Sequence, residues 1–219
     1  MHDSALHFWF KKGVDGFRID VSNLYSKVQS FPDGPPSSRH PGFGDYHDFC
    51  ANGPRIHEFY QEIRKEVFSK YVDGDPMLIG ELPGSTIDEI LKYVGEDRKE
   101  ISMVFDFSVC TLGGNMVLPP HERHRYKLPE LKTALKITQD LAANTNAWST
   151  VFIENHDNPR SVSWHADDSP DVWERAAKVL CMLIGTLSGT LFLYQGEEIG
   201  GCTSALRSFM IKSFIPVMR

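Results

Sequence analysis

The sequence predicts an α/β fold with a parallel sheet, and three observations carry that prediction. Five short apolar strands alternate with amphipathic helices along the 219 residues. The strands are near-continuously apolar, as strands buried on both faces are. A carboxylate then recurs where a strand ends, at Asp20, Glu81 and Asp157. Repeated βα units close in one of two ways, as an open doubly wound sheet or as a barrel. In a barrel the C-terminal strand ends converge on one face, where active sites sit.

Taken in order, Ser4 to Lys12 reads as the end of a helix, with Leu6, Phe8, Trp9 and Phe10 as its apolar residues and Gly13 as its stop. Gly13 to Val21 reads as the first strand. Alternation puts Arg18 and Asp20 on one face and Phe17, Ile19 and Val21 on the other. Charges on a buried strand must pair or do chemistry, so Arg18 and Asp20 form either a structural ion pair or part of a site. Ser26 to Pro54 is irregular and rich in Pro, Gly, Ser and His, a length of loop that is usually functional or disordered. Pro54 opens a helix to about Tyr71, with Ile56, Phe59, Tyr60, Ile63 and Val67 at helical spacing. A turn at Asp73-Gly74-Asp75-Pro76 leads to a strand over Met77 to Leu82. Thr86 to Val94 is a helix capped by Ser85 or Thr86, with Asp88 and Glu89 in its first turn. Ile101 to Val109 is a strand, and a Gly/Pro/His loop spans Gly113 to Tyr126. Pro129 to Ala143 is an amphipathic helix, Thr150 to Ile153 a strand, Pro170 to Thr186 a long helix, and Thr190 to Tyr194 the last strand.

Composition narrows the function. A net charge of -6 argues against a dedicated nucleic-acid surface. No G-x-G-x-x-G or G-x-x-x-x-G-K-[ST] follows a strand, so nucleotide phosphate binding has no support. Leu180 to Tyr194, the most apolar stretch, is too short and too interrupted to span a bilayer, which leaves no membrane role. Cys50, Cys110, Cys181 and Cys202 lie far apart with no C-x-x-C pair, and so read as thiols. With no Asn-x-Ser/Thr sequon and no signal-peptide pattern at the N-terminus, the expected location is cytoplasmic. His121-Glu122-Arg123-His124 lacks H-E-x-x-H spacing, so no metal site is expected there. Lys127, Lys132 and Lys136 read as a solvated helix face, His40 and His47 as surface histidines, and Phe8, Trp9 and Phe10 as core.

The strand-end carboxylates suit one chemistry well. Cleaving a glycosidic bond takes two carboxyl groups, one to protonate the leaving oxygen and one to attack or to activate water; a retaining enzyme holds them roughly 5–5.5 Å apart. Asp20 and Glu81 come from neighbouring strands, within reach of that spacing. Leu78-Ile79-Gly80 gives Glu81 an apolar setting that favours its protonated form, while Arg18 keeps Asp20 ionised. Asp157, next to His156, adds a third charge.

Gly16-Phe17-Arg18-Ile19-Asp20-Val21, Ile79-Gly80-Glu81 and Glu154-Asn155-His156-Asp157 resemble three sequence blocks of the alpha-amylase family, glycoside hydrolase family 13. Within it, Asp20-Val-Ser-Asn-Leu-Tyr-Ser-Lys27, Asn52-Gly-Pro-Arg-Ile-His-Glu-Phe59, Asn155-His-Asp-Asn-Pro-Arg-Ser161 and Tyr194-Gln-Gly196 look like the fungal alpha-glucosidases, the maltases and isomaltases. The resemblance implies a partial (β/α)8 TIM barrel over residues 1–200, holding strands four to eight, followed by a divergent tail over 201–219. It implies Asp20 as nucleophile, Glu81 as general acid/base and Asp157 as transition-state stabiliser, with Arg18 and His156 as sugar ligands and Arg160 as a further substrate-binding residue at the rim of the active site. Val21 follows the nucleophile, where valine accompanies alpha-1,6 activity in this family and threonine alpha-1,4; the plainer reading is a strand residue packing outward. The expected substrates are maltose, isomaltose or sucrose-like sugars, with no cofactor, and the full-length protein is expected to be a monomer.

The family's first block and C-terminal β-sandwich have no counterpart here, Val109 to Gly114 differs from the family pattern, and Met210, Ile211, Phe214, Ile215 and Val217 belong to an unrelated tail. An isolated partial barrel leaves sheet edges unpaired, so the chain alone is expected to be poorly soluble or inactive. A second reading is a non-catalytic amylase-like module of the transporter heavy-chain type. The survival of all three carboxylates disfavours it.

Overall fold

The structure, a computed structural model, describes residues 2–37, 41–71, 76–114 and 124–203. His40, the turn at Asp73 to Asp75, His121 to Arg123 and the apolar residues of the tail lie outside them. The chain forms two compact units, one of Met1–Asp106 with Asn144–Trp148, the other of Phe107–Ala143 with Ser149–Arg219.

The first unit is a three-stranded parallel sheet. Strands β1 (Gly16–Ile19), β2 (Met77–Glu81) and β3 (Met103–Phe105) pair in chain order, with Gly16 opposite Met77, Ile19 opposite Gly80 and Glu81 opposite Phe105. Parallel neighbours need long crossovers. After the opening helix α1 (His2–Phe10) and the short α2 (His47–Cys50), these crossovers are helices α3 (Ile56–Glu66) and α4 (Ile87–Val94). Thr86 caps α4 through a capping box, its side chain taking the Glu89 N–H while Glu89 takes that of Thr86. Ile56, Tyr60, Val67, Phe68, Leu78, Ile90, Tyr93 and Val104 are buried. Phe10 sits at the centre of an aromatic cluster, 5.0 Å from Phe17, 5.2 Å from Phe68 and stacked 4.6 Å from Tyr71. Phe8 and Trp9, expected in the core, are half exposed because only one face of α1 meets the unit.

The second unit holds strands β4 (Thr150–Val151) and β5 (Thr190–Leu191), parallel, with Thr150 opposite Thr190. Helix α5 (Leu128–Asn144), a short α6 (Ser161–His165) and α7 (Trp173–Gly185) accompany them. Val109, Ala134, Val151, Ile153, Val162, Leu180 and Ile184 form the core. Lys136 pairs with Asp140 on the exposed face of α5, and Lys127 caps that helix by donating its N–H to Glu130.

All five strands lie where the apolar runs place them, but each is shorter than the run. The strand expected over Gly13 to Val21 ends at Ile19, and the one expected over Ile101 to Val109 ends at Phe105. Helix α6 carries no pattern long enough to predict it.

Candidate active site

Glu81 is the last residue of β2, and Asp20 is the first beyond β1. The register sets Ile19 beside Gly80, so the next residue of each strand brings a carboxylate to the same end of the sheet. Arg18 joins them. Its Nη1 lies 2.5 Å from Asp20 Oδ1 and its Nη2 2.7 Å from Glu81 Oε1. The two carboxylates differ sharply in solvation, since the Glu81 side chain is 5% exposed and that of Asp20 65%. Burial pushes the Glu81 carboxyl above its usual range, and the hydrogen bond and charge of Asp20 act the same way. The Val21 N–H and the Arg18 charge oppose the rise.

Val21 is not a strand residue. The chain leaves the sheet there in a left-handed conformation, φ 36° and ψ 52°, which is rare for a β-branched side chain. The turn aims the Val21 N–H at Glu81 Oε2, 3.2 Å away. Ser22, wholly buried, donates its Oγ hydrogen to the Ile19 carbonyl at 2.8 Å and accepts the Glu81 N–H at 3.0 Å. Gly80 makes room for this, because a Cβ there would lie 3.1 Å from Ser22 Oγ and 2.8 Å from Ile101 Cδ1. Asn23 Nδ2 donates to the Pro83 carbonyl at 3.1 Å and to Ser85 Oγ at 3.2 Å, tying the same turn to the loop after Glu81.

In the second unit Asp157 lies six residues past the end of β4, in a turn rather than at a strand end. Asn155 makes that turn by accepting the Asp157 N–H on its Oδ1 at 3.0 Å. His156 Nε2 is 3.2 Å from Asp157 Oδ2, with both side chains more than half exposed. Arg160, expected at the rim of a sugar site, is held inside the unit. Its Nη1 donates to Glu154 Oε1 at 2.7 Å and to the Gln195 carbonyl at 2.6 Å, and its guanidinium lies 4.9 Å from the centre of the Tyr194 ring. Glu154 is buried, and its second oxygen accepts the Ser161 N–H at the start of α6. Glu197, close by, is pushed up to about 7, by burial first and then by the Glu154 charge, against the Tyr194 N–H that it accepts.

The structure therefore gathers Arg18, Asp20, Val21 and Glu81 in the first unit. It gathers His156 with Asp157, and Arg160 with Glu154, in the second. The residues that sequence reasoning missed are Ser22, Glu154 and Asp106, a buried carboxylate directly after β3. Asp106 repeats the strand-end signal of Asp20, and an over-long β3 hid it. His47 is half exposed on α2, consistent with a surface histidine. Among the described residues no group of His, Cys, Asp and Glu could hold a metal ion, and His124 instead lies 3.8 Å from Glu130. Among the same residues no helix is long and apolar enough to cross a membrane. Two open clefts of the first unit, about 410 and 690 Å³, are lined by other residues and include neither Asp20 nor Glu81.

The model of the alpha-amylase catalytic domain matches residues 1–212. The alpha-glucosidase of Candida albicans is 44% identical over 217 residues, 98% of this chain and 36% of its own length. The oligo-1,6-glucosidase IMA2 of Saccharomyces cerevisiae is 40% identical over 204 residues, 91% of this chain and 34% of its own. Among solved structures, the trehalose-6-phosphate hydrolase of Bacillus licheniformis matches with a TM-score of 0.76 at 36% identity, over 92% of this chain and 34% of that one. The chain thus spans about a third of the length of the relatives it matches.

Proposed function

The chain belongs to the alpha-amylase family, whose catalytic domain is a (β/α)8 barrel, and on that premise we propose that it is the nucleophile-bearing part of a retaining alpha-glucosidase. Its substrates are short alpha-1,4- or alpha-1,6-linked oligosaccharides such as maltose or isomaltose, from which it releases terminal glucose. One observation carries the reading, namely a single guanidinium that joins a solvated Asp20 to a buried Glu81 on adjacent strands.

An ionised Asp20, held by Arg18, attacks the anomeric carbon. A bond forms from its carboxylate oxygen to that carbon as the glycosidic bond breaks, and the leaving oxygen takes the proton of Glu81. Burial keeps Glu81 protonated far enough up the pH scale to serve as that acid. Water then attacks the same carbon, Glu81 accepts its proton, and the bond to Asp20 breaks to release glucose with its configuration retained. Asp157 is assigned the stabilisation of the positive charge at the transition state, with His156 and Arg18 as ligands of the terminal sugar. Val21 bears on linkage, and Arg160 is read as a further residue at the rim of the sugar site. Residues 1–200 are read as part of one barrel and 201–219 as its divergent tail. The cytoplasm is read as the compartment. The full-length protein is read as a monomer.

The test compares wild type with Asp20→Asn in a complete barrel that carries this chain, on isomaltose and on maltose. Loss of hydrolysis with retained fold is expected, and unchanged hydrolysis sinks the assignment. The isolated 219-residue chain is expected to hydrolyse neither sugar.

A further inference from the structure

We propose that the backbone N–H of Val21 is a positioning group for the Glu81 carboxylate, and that the left-handed turn at residue 21 serves to aim it. The inference rests on the reading of Glu81 as the acid/base. Glu81 is held at three points by a single five-residue segment. Arg18 Nη2 takes Oε1 at 2.7 Å, Val21 N–H donates to Oε2 at 3.2 Å, and Ser22 Oγ accepts the Glu81 N–H at 3.0 Å. The middle contact needs a conformation that valine disfavours, with φ 36° and ψ 52°. Strain of that kind persists only where the surroundings fix it. Here they do, since Ser22 Oγ donates to the Ile19 carbonyl at 2.8 Å, Tyr60 Oη donates to the Ser22 carbonyl at 2.7 Å, and the Leu24 N–H donates to the Val21 carbonyl at 2.8 Å.

The chemical consequence lies on Oε2. An amide N–H pointing at a carboxylate oxygen favours the ionised form, against the burial that favours the neutral one. An acid/base group must give up its proton in the first half of the reaction and recover one in the second. Burial alone would hold the proton too firmly, and the Val21 amide offsets that on one oxygen while Arg18 offsets it on the other. Position 21 thus has two separable functions. Its amide acts on Glu81, and its side chain remains available to whatever lies beside the turn.

The test separates those functions by titrating Glu81 in a complete barrel that carries this chain, with carbon-13 carboxyl labels on glutamate, the resonance being assigned with Glu81→Gln. Replacing Val21 by its α-hydroxy analogue turns the amide into an ester and removes only the N–H. Val21→Gly keeps the N–H and relieves the left-handed strain. The ester is expected to move the Glu81 midpoint to higher pH, and the glycine variant to leave it at the wild-type value. An unmoved midpoint in the ester, or an equal shift in the glycine variant, overturns the proposal. No sugar enters this titration, so its failure is distinct from that of the glucosidase reading, which falls if Asp20→Asn still hydrolyses isomaltose.

Discussion

Arg18 reaches across the β1–β2 boundary to place Nη2 2.7 Å from Glu81 Oε1, and the same guanidinium holds Asp20 at 2.5 Å. Glu81 is therefore buried beside a positive charge that lowers the cost of its ionised form. Removing that charge acts twice. Arg18→Ala leaves burial less opposed, so the alkaline limb of kcat/KM, set by loss of the Glu81 proton, moves to higher pH. It also takes the guanidinium away from Asp20, and the rate is expected to fall about 10²-fold or more, as when one transition-state donor is removed. Arg18→Lys keeps the charge but loses the fork, and so restores the pH limb better than the rate. A pH–rate profile of both variants in a complete barrel checks this. An unmoved alkaline limb in Arg18→Ala would show that Arg18 has no hold on Glu81.

Ser22 is wholly buried and uses its hydroxyl in both directions, donating to Ile19 and accepting from Glu81. Ser22→Ala leaves the Glu81 N–H without its acceptor in a place that water does not reach. The expected cost is about 1–3 kcal/mol of stability, the penalty for an unsatisfied buried group. Urea unfolding of a complete barrel that carries this chain measures it. A change below about 0.5 kcal/mol, the usual range for a surface substitution, rejects the account.

The parts of this site that could be read in advance are those that follow from period and composition. Apolar runs bounded by Gly and Pro place all five strands, and a carboxylate after such a run points to Asp20 and Glu81 without coordinates. Val21 could not be read that way. A β-branched residue after Phe17 and Ile19 extends the strand pattern, and only the turn through Ser22 and Asn23 forces it into the left-handed region. Ser22 itself is a common turn residue, and nothing in its neighbours announces burial. Arg160 fits a sugar-binding block, but its pairing with Glu154 and its long-range contacts to Gln195 and Tyr194 have no local signal. Glu100 is the sharpest case. It ends a run of Glu, Asp, Arg, Lys and Glu that looks solvated, yet it is wholly buried against His57, Gln61 and Arg98.

That pairing of Glu154 with Arg160 carries its own prediction. The Glu154 side chain is 1% exposed, and Arg160 is its cation at 2.7 Å. Arg160→Ala leaves a buried carboxylate with only the Ser161 N–H, and the expected loss is about 3–5 kcal/mol, the cost of stranding one member of a buried pair. Glu154→Gln is expected to cost less, because a neutral amide replaces the charge. The double variant should lose less than the sum of the two. Unfolding free energies of the four chains close the cycle, and strict additivity would remove the pair from the account.

Glu197 and His165 make the stability of the second unit depend on pH in opposite senses. Burial lifts the Glu197 carboxyl from its usual 4.5 to about 7, so between those values the folded chain keeps a proton that the unfolded chain has lost. Stability from this group is complete at low pH and declines as pH rises toward 7. His165 is lowered by burial from 6.5 to about 4, with its Nδ1 2.7 Å from the Tyr126 hydroxyl. Here the unfolded chain binds the extra proton, so stability rises with pH from 4 to 6.5. Glu197→Gln removes only the declining limb. Its thermal midpoint relative to wild type is therefore expected to be higher at pH 8 than at pH 5, by about 2–4 °C for each kcal/mol involved. Scanning calorimetry of both chains at the two pH values measures the difference. Parallel behaviour would show that Glu197 titrates alike in the folded and unfolded chains.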